Sequence, residues 1–214
     1  MDNQYQETFN TWNKIAQLYE DKFMPMDLYN ATYAIFCDSW IKTDSAVLEI
    51  GCGPGNITRY LKNHNPNCTV TAIDVSSNMV ELAKKNNPDV DFRIMDCRNL
   101  QEIENTFDAI ICGFTMNYLS KNDCLKLISD CNDLMQPEAI LYMSFVPGDY
   151  KKSGYITGST GDRTYFYYHD PKAVINELDK NFISVIHSIE KEYPKSDGTT
   201  EIHLIIIAKK GKVL

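Results

Sequence analysis

The chain has 214 residues, 43% hydrophobic and 23% charged, an ordinary globular composition near the upper size for one domain. Its 21 Lys and Arg against 29 Asp and Glu leave a formal charge of -8, which argues against nucleic acid or an anionic membrane as partner. Seven cysteines without a C-x-x-C pair point to reduced thiols and away from a structural zinc or iron–sulfur site. No basic segment followed by an apolar run opens the chain, and no stretch approaches the roughly 18 apolar residues of a bilayer span. The expectation is one cytoplasmic domain over residues 1–214, of open oligomeric state.

In chain order, Tyr5 to Trp40 reads as one or two helices broken near Met24-Pro25-Met26, with Phe9, Trp12, Ile15, Ala16 and Tyr19 at helical spacing. This forms a helical cap over about residues 1–43. Short runs rich in Val, Ile and Phe follow at Ala46–Ile50, Thr69–Ile73, Val90–Ile94, Phe107–Cys112 and Ile140–Phe145. Between them, Ser76-Ser77-Asn78 offers caps for one helix, and Leu125, Ile128, Cys131 and Leu134 share the face of another that stops before Pro137. Phe182–Tyr193 and Glu201–Ala208 flank an Asp197-Gly198 turn signal and read as a hairpin. The pattern predicts an α/β fold: a Rossmann-like, doubly wound, mostly parallel seven-stranded sheet that ends in an antiparallel hairpin and carries helices on both faces.

The most informative stretch is Val47-Leu48-Glu49-Ile50-Gly51-Cys52-Gly53-Pro54-Gly55-Asn56, where three of ten glycines follow a strand. Glycines here permit a sharp turn and close approach of backbone to a ligand. About 20 residues on, the next strand ends in Asp74, where a doubly wound sheet sets a carboxylate against ribose hydroxyls. The following strand ends in Asp96, placed to accept from the exocyclic amine of an adenine; a helix cap or solvated turn is the plainer role for either acid. Asn56 stands where a dinucleotide loop has its third glycine, and no G-x-x-x-x-G-K-[ST] loop exists. S-adenosylmethionine, which has no phosphate and carries a sulfonium, fits better, its amino-acid tail held by loop amides and a carboxylate such as Glu49.

These residues resemble class I S-adenosylmethionine-dependent methyltransferases. The likeness runs from V-L-E-I-G-C-G-P-G through Asp74-Val75-Ser76-Ser77-Asn78-Met79, Asp96-Cys97 and Phe107–Cys112 into Gly113-Phe114-Thr115-Met116-Asn117-Tyr118-Leu119. It implies that Gly51, Cys52, Gly53 and Gly55 hold the methionine portion. Asp74, with Val75 and Met79 in the same motif, would serve the ribose, and Asp96 with Cys97 the adenine. Gly113, Phe114 and Tyr118 would line the methyl-transfer side, and Tyr19, in the I-A-x-x-Y pattern, would close over the cofactor. S-adenosylhomocysteine is the implied product.

Methyl transfer is an in-line displacement that asks for alignment and exclusion of water, with a base where the acceptor holds its proton tightly. His169, ahead of a helix that Asp170 would cap and Pro171 would begin, is the candidate base or acceptor-binding group, with a local hydrogen bond as its alternative. The segment after the fourth strand lacks both the [DNS]-P-P-[YF] motif of base methylation and acids for a metal, so a small-molecule acceptor and no metal are expected. Residues 147–169 interleave four glycines with Tyr150, Tyr155, Tyr165, Phe166, Tyr167 and Tyr168, the make-up of a substrate lid or of a link packed on the N-terminal helices. Three other readings compete: a cofactor-binding sensor without turnover, a nicotinamide-dependent oxidoreductase, and an aminopropyl transferase. Asn56 and the hairpin oppose the second, and the third lacks an extra acid near Thr115.

Overall fold

The computed structural model describes residues 3–195 and 197–212. Seven strands form the main sheet: β1 (Ala46–Ile50), β2 (Thr69–Asp74), β3 (Asp91–Ile94), β4 (Phe107–Gly113), β5 (Met135–Phe145), β8 (Ile183–Pro194) and β9 (Thr200–Lys210), in the order β3-β2-β1-β4-β5-β9-β8. The first five strands are parallel, and β9 runs antiparallel to both β5 and β8. The predicted doubly wound sheet with its closing hairpin is therefore the fold; Ser196 of the hairpin link lies outside the described residues.

The central strands β1, β4, β5 and β9 are largely apolar on both faces because each face is covered. On one side Leu48, Ile50, Ile110 and Met143 meet α6 (Lys121–Leu134) and α7 (Pro171–Lys180) through Leu127, Ile128, Val174 and Leu178. On the other side Val47, Ala72, Ile111 and Tyr142 meet α3 (Asn30–Trp40), α4 (Asn56–His64) and α5 (Ser77–Asn86) through Phe36, Leu61, Val80 and Ala83. Burying a side chain such as Phe36 or Leu61 contributes about 1.5–3 kcal/mol, so the alternation of inward residues is what binds helices to sheet. Local chemistry sets the helix starts. Ser76 accepts from the Met79 amide at the head of α5, and Asp170 accepts from Lys172 ahead of Pro171 at the head of α7.

The N-terminal region departs from the expected one or two helices: it holds three, α1 (Asn3–Lys14), α2 (Ala16–Phe23) and α3. The break at Ile15 is a kink, since the Ile15 amide still donates to Thr11 O and the Tyr19 amide to Ile15 O. The break before α3 follows Pro25, which has no amide hydrogen to donate. A second difference is in β5, which starts directly at Met135, includes Pro137, and absorbs it through an irregular register with Glu138 at φ 64°. The glycine- and tyrosine-rich segment forms a separate antiparallel pair, β6 (Gly154–Thr157) with β7 (Arg163–Phe166). This pair is fastened to α1: Thr11 donates to Arg163 O, the Tyr165 amide donates to Thr8, and Arg163 and Asp162 pair with Glu7 and Lys14.

Because the chain winds outward from β1 to β2 and β3 and then crosses to β4, the loops after β1 and β4 diverge at the carboxyl edge of the sheet. That divergence opens a crevice. Among the described residues, no helix is long and apolar enough to cross a membrane.

Candidate functional site

The loop after β1 is shaped by backbone that a side chain would obstruct. Gly51 has φ 71°, and a Cβ there would lie 2.0 Å from Thr115 Oγ1 in the loop after β4. Gly55 has φ 83° and caps α4, where a Cβ would lie 2.5 Å from Asn87 Nδ2. The Gly51 and Cys52 amides both donate to Ile73 O, and the Gly53 amide donates to Asp74 Oδ2 at 2.9 Å. These loop amides thus have partners inside the protein. They build the crevice wall, on which Gly51 and Gly53 stand.

A cavity fills the crevice. It is lined by the predicted Tyr19, Gly51, Gly53, Asp74, Val75, Met79, Asp96, Cys97, Gly113, Phe114 and Tyr118, together with Thr8, Phe9, Trp12, Met95, Thr115 and Leu119. Asp74 accepts from the Gly53 and Ser76 amides on different oxygens, and burial raises its pKa against those amides. Each oxygen keeps capacity for another donor. Asp96 is gripped by Arg98, whose Nη2 lies 2.5 Å from Oδ2, and it also accepts from the Arg98 amide. The Arg98 guanidinium in turn lies 4.0 Å from the Tyr5 ring centroid. Asp96 therefore both faces the cavity and caps the short 3-10 turn that follows it.

Three predicted residues fall elsewhere. Gly55 lies behind the loop against Ala83 and Asn87, and Cys52 faces a second cavity. Glu49 lines neither cavity: it is 1% exposed, accepts a hydrogen bond from Thr58 Oγ1, and leaves Oε1 without a partner. Burial pushes its carboxyl up to about 8 from an ordinary 4.5. The folded state then holds a proton that the unfolded state has lost between those two values, so stability falls as pH rises across that window. Glu49→Gln removes the effect. The difference in Tm between pH 5 and pH 8.5, measured by calorimetry on the ligand-free protein, is expected to be several degrees smaller in the variant than in the unmodified chain.

His169 is also displaced from its expected position. It is 4% exposed, its Nε2 lies 2.8 Å from Met116 O, and it lines neither cavity. Its ring fixes the turn after β4 from beneath, and burial lowers its pKa. The alternative local role is the one its geometry supports.

Sequence reasoning missed the contribution of α1. Phe9 and Trp12 were read only as members of a helical cap, yet both face the crevice, and Trp12 meets Tyr19 and Tyr118 edge-on at 5.5 and 5.2 Å. The buried Trp12 Nε1–H has no acceptor. Asn13 secures this helix by accepting from Ser76, Ser77 and the Asn78 amide. The aromatic spacing of Phe9, Trp12 and Tyr19 was the available signal.

A second cavity of about 410 Å³ adjoins the first. Trp12, Tyr19, Gly51, Gly53, Gly113, Phe114 and Tyr118 border both. Its other walls are largely aromatic, with Tyr29, Tyr33, Tyr60, Phe166 and Tyr193, and its polar members include Arg59, Glu201 and His203. Phe114, at φ 56°, holds its left-handed backbone through bonds from its amide to Ser144 O and Oγ. Such strain is retained where surroundings over-determine it. Among the described residues, no group of three His, Cys, Asp or Glu could hold a metal ion.

Residues 47–138 match the family model described as a methyltransferase domain. The chain is 32% identical over 149 residues to malonyl-[acyl-carrier protein] O-methyltransferase of Priestia megaterium, covering 67% of this chain and 52% of that one. It is 23% identical over 200 residues to an uncharacterized methyltransferase of Oceanobacillus iheyensis, covering 91% and 89%. Magnesium protoporphyrin IX methyltransferase of Synechocystis PCC 6803, solved with S-adenosylmethionine, superposes with a TM-score of 0.74 at 16% identity, covering 99% of each chain. The chain spans about half the length of several curated relatives that it matches.

Proposed function

We propose that this chain, which belongs to the class I S-adenosylmethionine-dependent methyltransferases, binds S-adenosylmethionine in the crevice and methylates a small molecule seated in the adjoining cavity. The observation that carries this reading is the meeting of two cavities along Gly51, Gly53, Gly113 and Phe114, one bearing two carboxylates and the other aromatic walls. No Lys, Arg or His lines the first cavity. That lining suits a nucleoside without phosphate. Bound there, S-adenosylmethionine supplies an activated methyl group.

The chain's own contribution is positioning and desolvation. Asp74 would hold ribose hydroxyls while it braces the glycine loop, and Asp96 with Cys97 would border the adenine. Tyr19, Trp12 and Tyr118 would separate the reacting carbon from solvent. In this reading α1 and α2 act as the cap and the β6–β7 arm steadies them, contributing Phe166 to the acceptor wall. A binding-only sensor has no need of the second cavity.

Titration calorimetry is expected to show S-adenosylmethionine and S-adenosylhomocysteine binding, and methyl-labelled S-adenosylmethionine is expected to label a component of a low-molecular-weight metabolite pool. Binding of NAD with indifference to both adenosyl ligands would reject the assignment.

A further inference from the structure

We infer that Tyr29, His203 and Glu201 form a proton-accepting chain in the wall of the second cavity, and that this cavity takes a small aromatic molecule with an ionisable hydroxyl. The inference rests on the methyl-transfer reading above. Tyr29 Oη lies 2.7 Å from His203 Nδ1, and His203 Nε2 lies 3.2 Å from Glu201 Oε2. All three residues line the cavity. A carboxylate can only accept, so Glu201 takes the Nε2–H and leaves Nδ1 as the acceptor for the Tyr29 hydroxyl. Tyr29 Oη then keeps a lone pair for an incoming hydroxyl.

The surroundings keep the ring in place and uncharged. His203 is stacked on Tyr193 at 4.8 Å and packs against Phe114 at 4.9 Å. Burial lowers its pKa, and the Glu201 carboxylate partly opposes that, so the imidazole is a free base near neutrality. Burial raises Tyr29, with Tyr193, Tyr19, Tyr142 and Glu201 adding to the effect, which keeps its hydroxyl protonated and able to relay. The cations on neighbouring elements are Arg59 of α4 in the wall of the same cavity, Lys191, opposite His203 in the β8–β9 register, and Lys22, 5.8 Å from the Tyr193 ring centroid.

The charges balance in one step. The carbon–sulfur bond breaks with its electron pair passing to sulfur, and the acceptor oxygen bonds the methyl carbon. The acceptor proton passes to Tyr29 Oη as the Tyr29 proton passes to His203 Nδ1. One positive charge thus leaves sulfur and reappears on an imidazolium beside Glu201, whose side chain is 30% exposed and gives the proton a way to solvent. A carboxylate acceptor would bring no proton for this chain to take and would stand beside Glu201 as a like charge. The ring-lined walls favour a flat apolar body.

The probe is 4-nitrophenol, whose neutral and ionised forms absorb at different wavelengths, added to the S-adenosylhomocysteine complex of the full chain about one pH unit below the phenol's own pKa. Using the thioether product removes the sulfonium as a source of the shift. The bound dye is expected to be largely phenolate in the unmodified protein. In His203→Asn and in Tyr29→Phe it is expected to be largely neutral, a difference in apparent pKa of about two units or a hundredfold in the ratio of ionised to neutral dye. Calorimetry is expected to give S-adenosylhomocysteine affinities within about twofold across the three proteins, and circular dichroism checks that the variants fold. Dye bound as neutral phenol in the unmodified protein, dye still ionised in His203→Asn, or no dye bound to the loaded protein overturns the inference alone. Absence of S-adenosylhomocysteine binding overturns the cofactor reading beneath it.

Discussion

Gly51→Ala is expected to abolish measurable binding of S-adenosylmethionine and to lower the Tm by roughly 6–12 °C. Two independent costs combine. At φ 71° an alanine sits in the left-handed region, which costs about 1–2 kcal/mol. Its Cβ would also lie 2.0 Å from Thr115 Oγ1, itself donated to Ile50 O at 3.1 Å. Relief requires the loop after β1 or the loop after β4 to move, and both line the crevice. A loss near 3 kcal/mol corresponds to about 2–4 °C per kcal/mol in a domain of this size. Adding Thr115→Ala to Gly51→Ala removes Oγ1 and so should recover part of the lost stability, while the backbone cost stays. Differential scanning calorimetry reads both effects. An unchanged Tm in Gly51→Ala would show that the two loops are not in contact as described.

Asp74→Ala is expected to weaken S-adenosylmethionine binding by at least about 100-fold, equivalent to roughly 2.8 kcal/mol. The carboxylate does two things at once. It accepts from the Gly53 and Ser76 amides, and it offers its remaining lone pairs to the crevice. Alanine leaves two amides of the crevice wall without their acceptor, at about 1–3 kcal/mol for each that stays buried, and removes the partner for ribose hydroxyls. Asp74→Asn keeps one acceptor oxygen and should fall between the two. Titration calorimetry separates these cases, and affinity within twofold of the unmodified chain in Asp74→Ala would mean that the carboxylate does not meet the ligand.

Both variants rest on residues that were legible in the sequence, and the reason is their locality. A left-handed turn demands glycine within a few residues of a strand end, and a carboxylate that braces that turn stands at the end of the neighbouring strand. Glu49 and Cys52 belong to the same motif but were read as ligand-facing, because a motif gives the order of residues and not the side each one turns to. Glu49 points beneath the loop to Thr58 on α4. His169 left two readings open for a similar reason: a polar ring beside aromatic residues in a glycine-rich segment resembles a site, and the partner it has, a main-chain oxygen 53 positions away, is not legible from its neighbours in the chain.

The pattern of apolar runs, caps and glycines determined, without any coordinates, the doubly wound sheet, its closing hairpin and the carboxyl-edge acids. These follow from interactions spanning a few residues, which a single sequence records. Tertiary structure alone decided that α1 turns Trp12 toward the crevice, that the β6–β7 arm ties to that helix, and that Tyr29 meets His203 across 174 positions. Such contacts come from packing the two apolar faces of one sheet beneath separate helices. Nothing in the spacing of either residue along the chain encodes the distance that packing leaves between them.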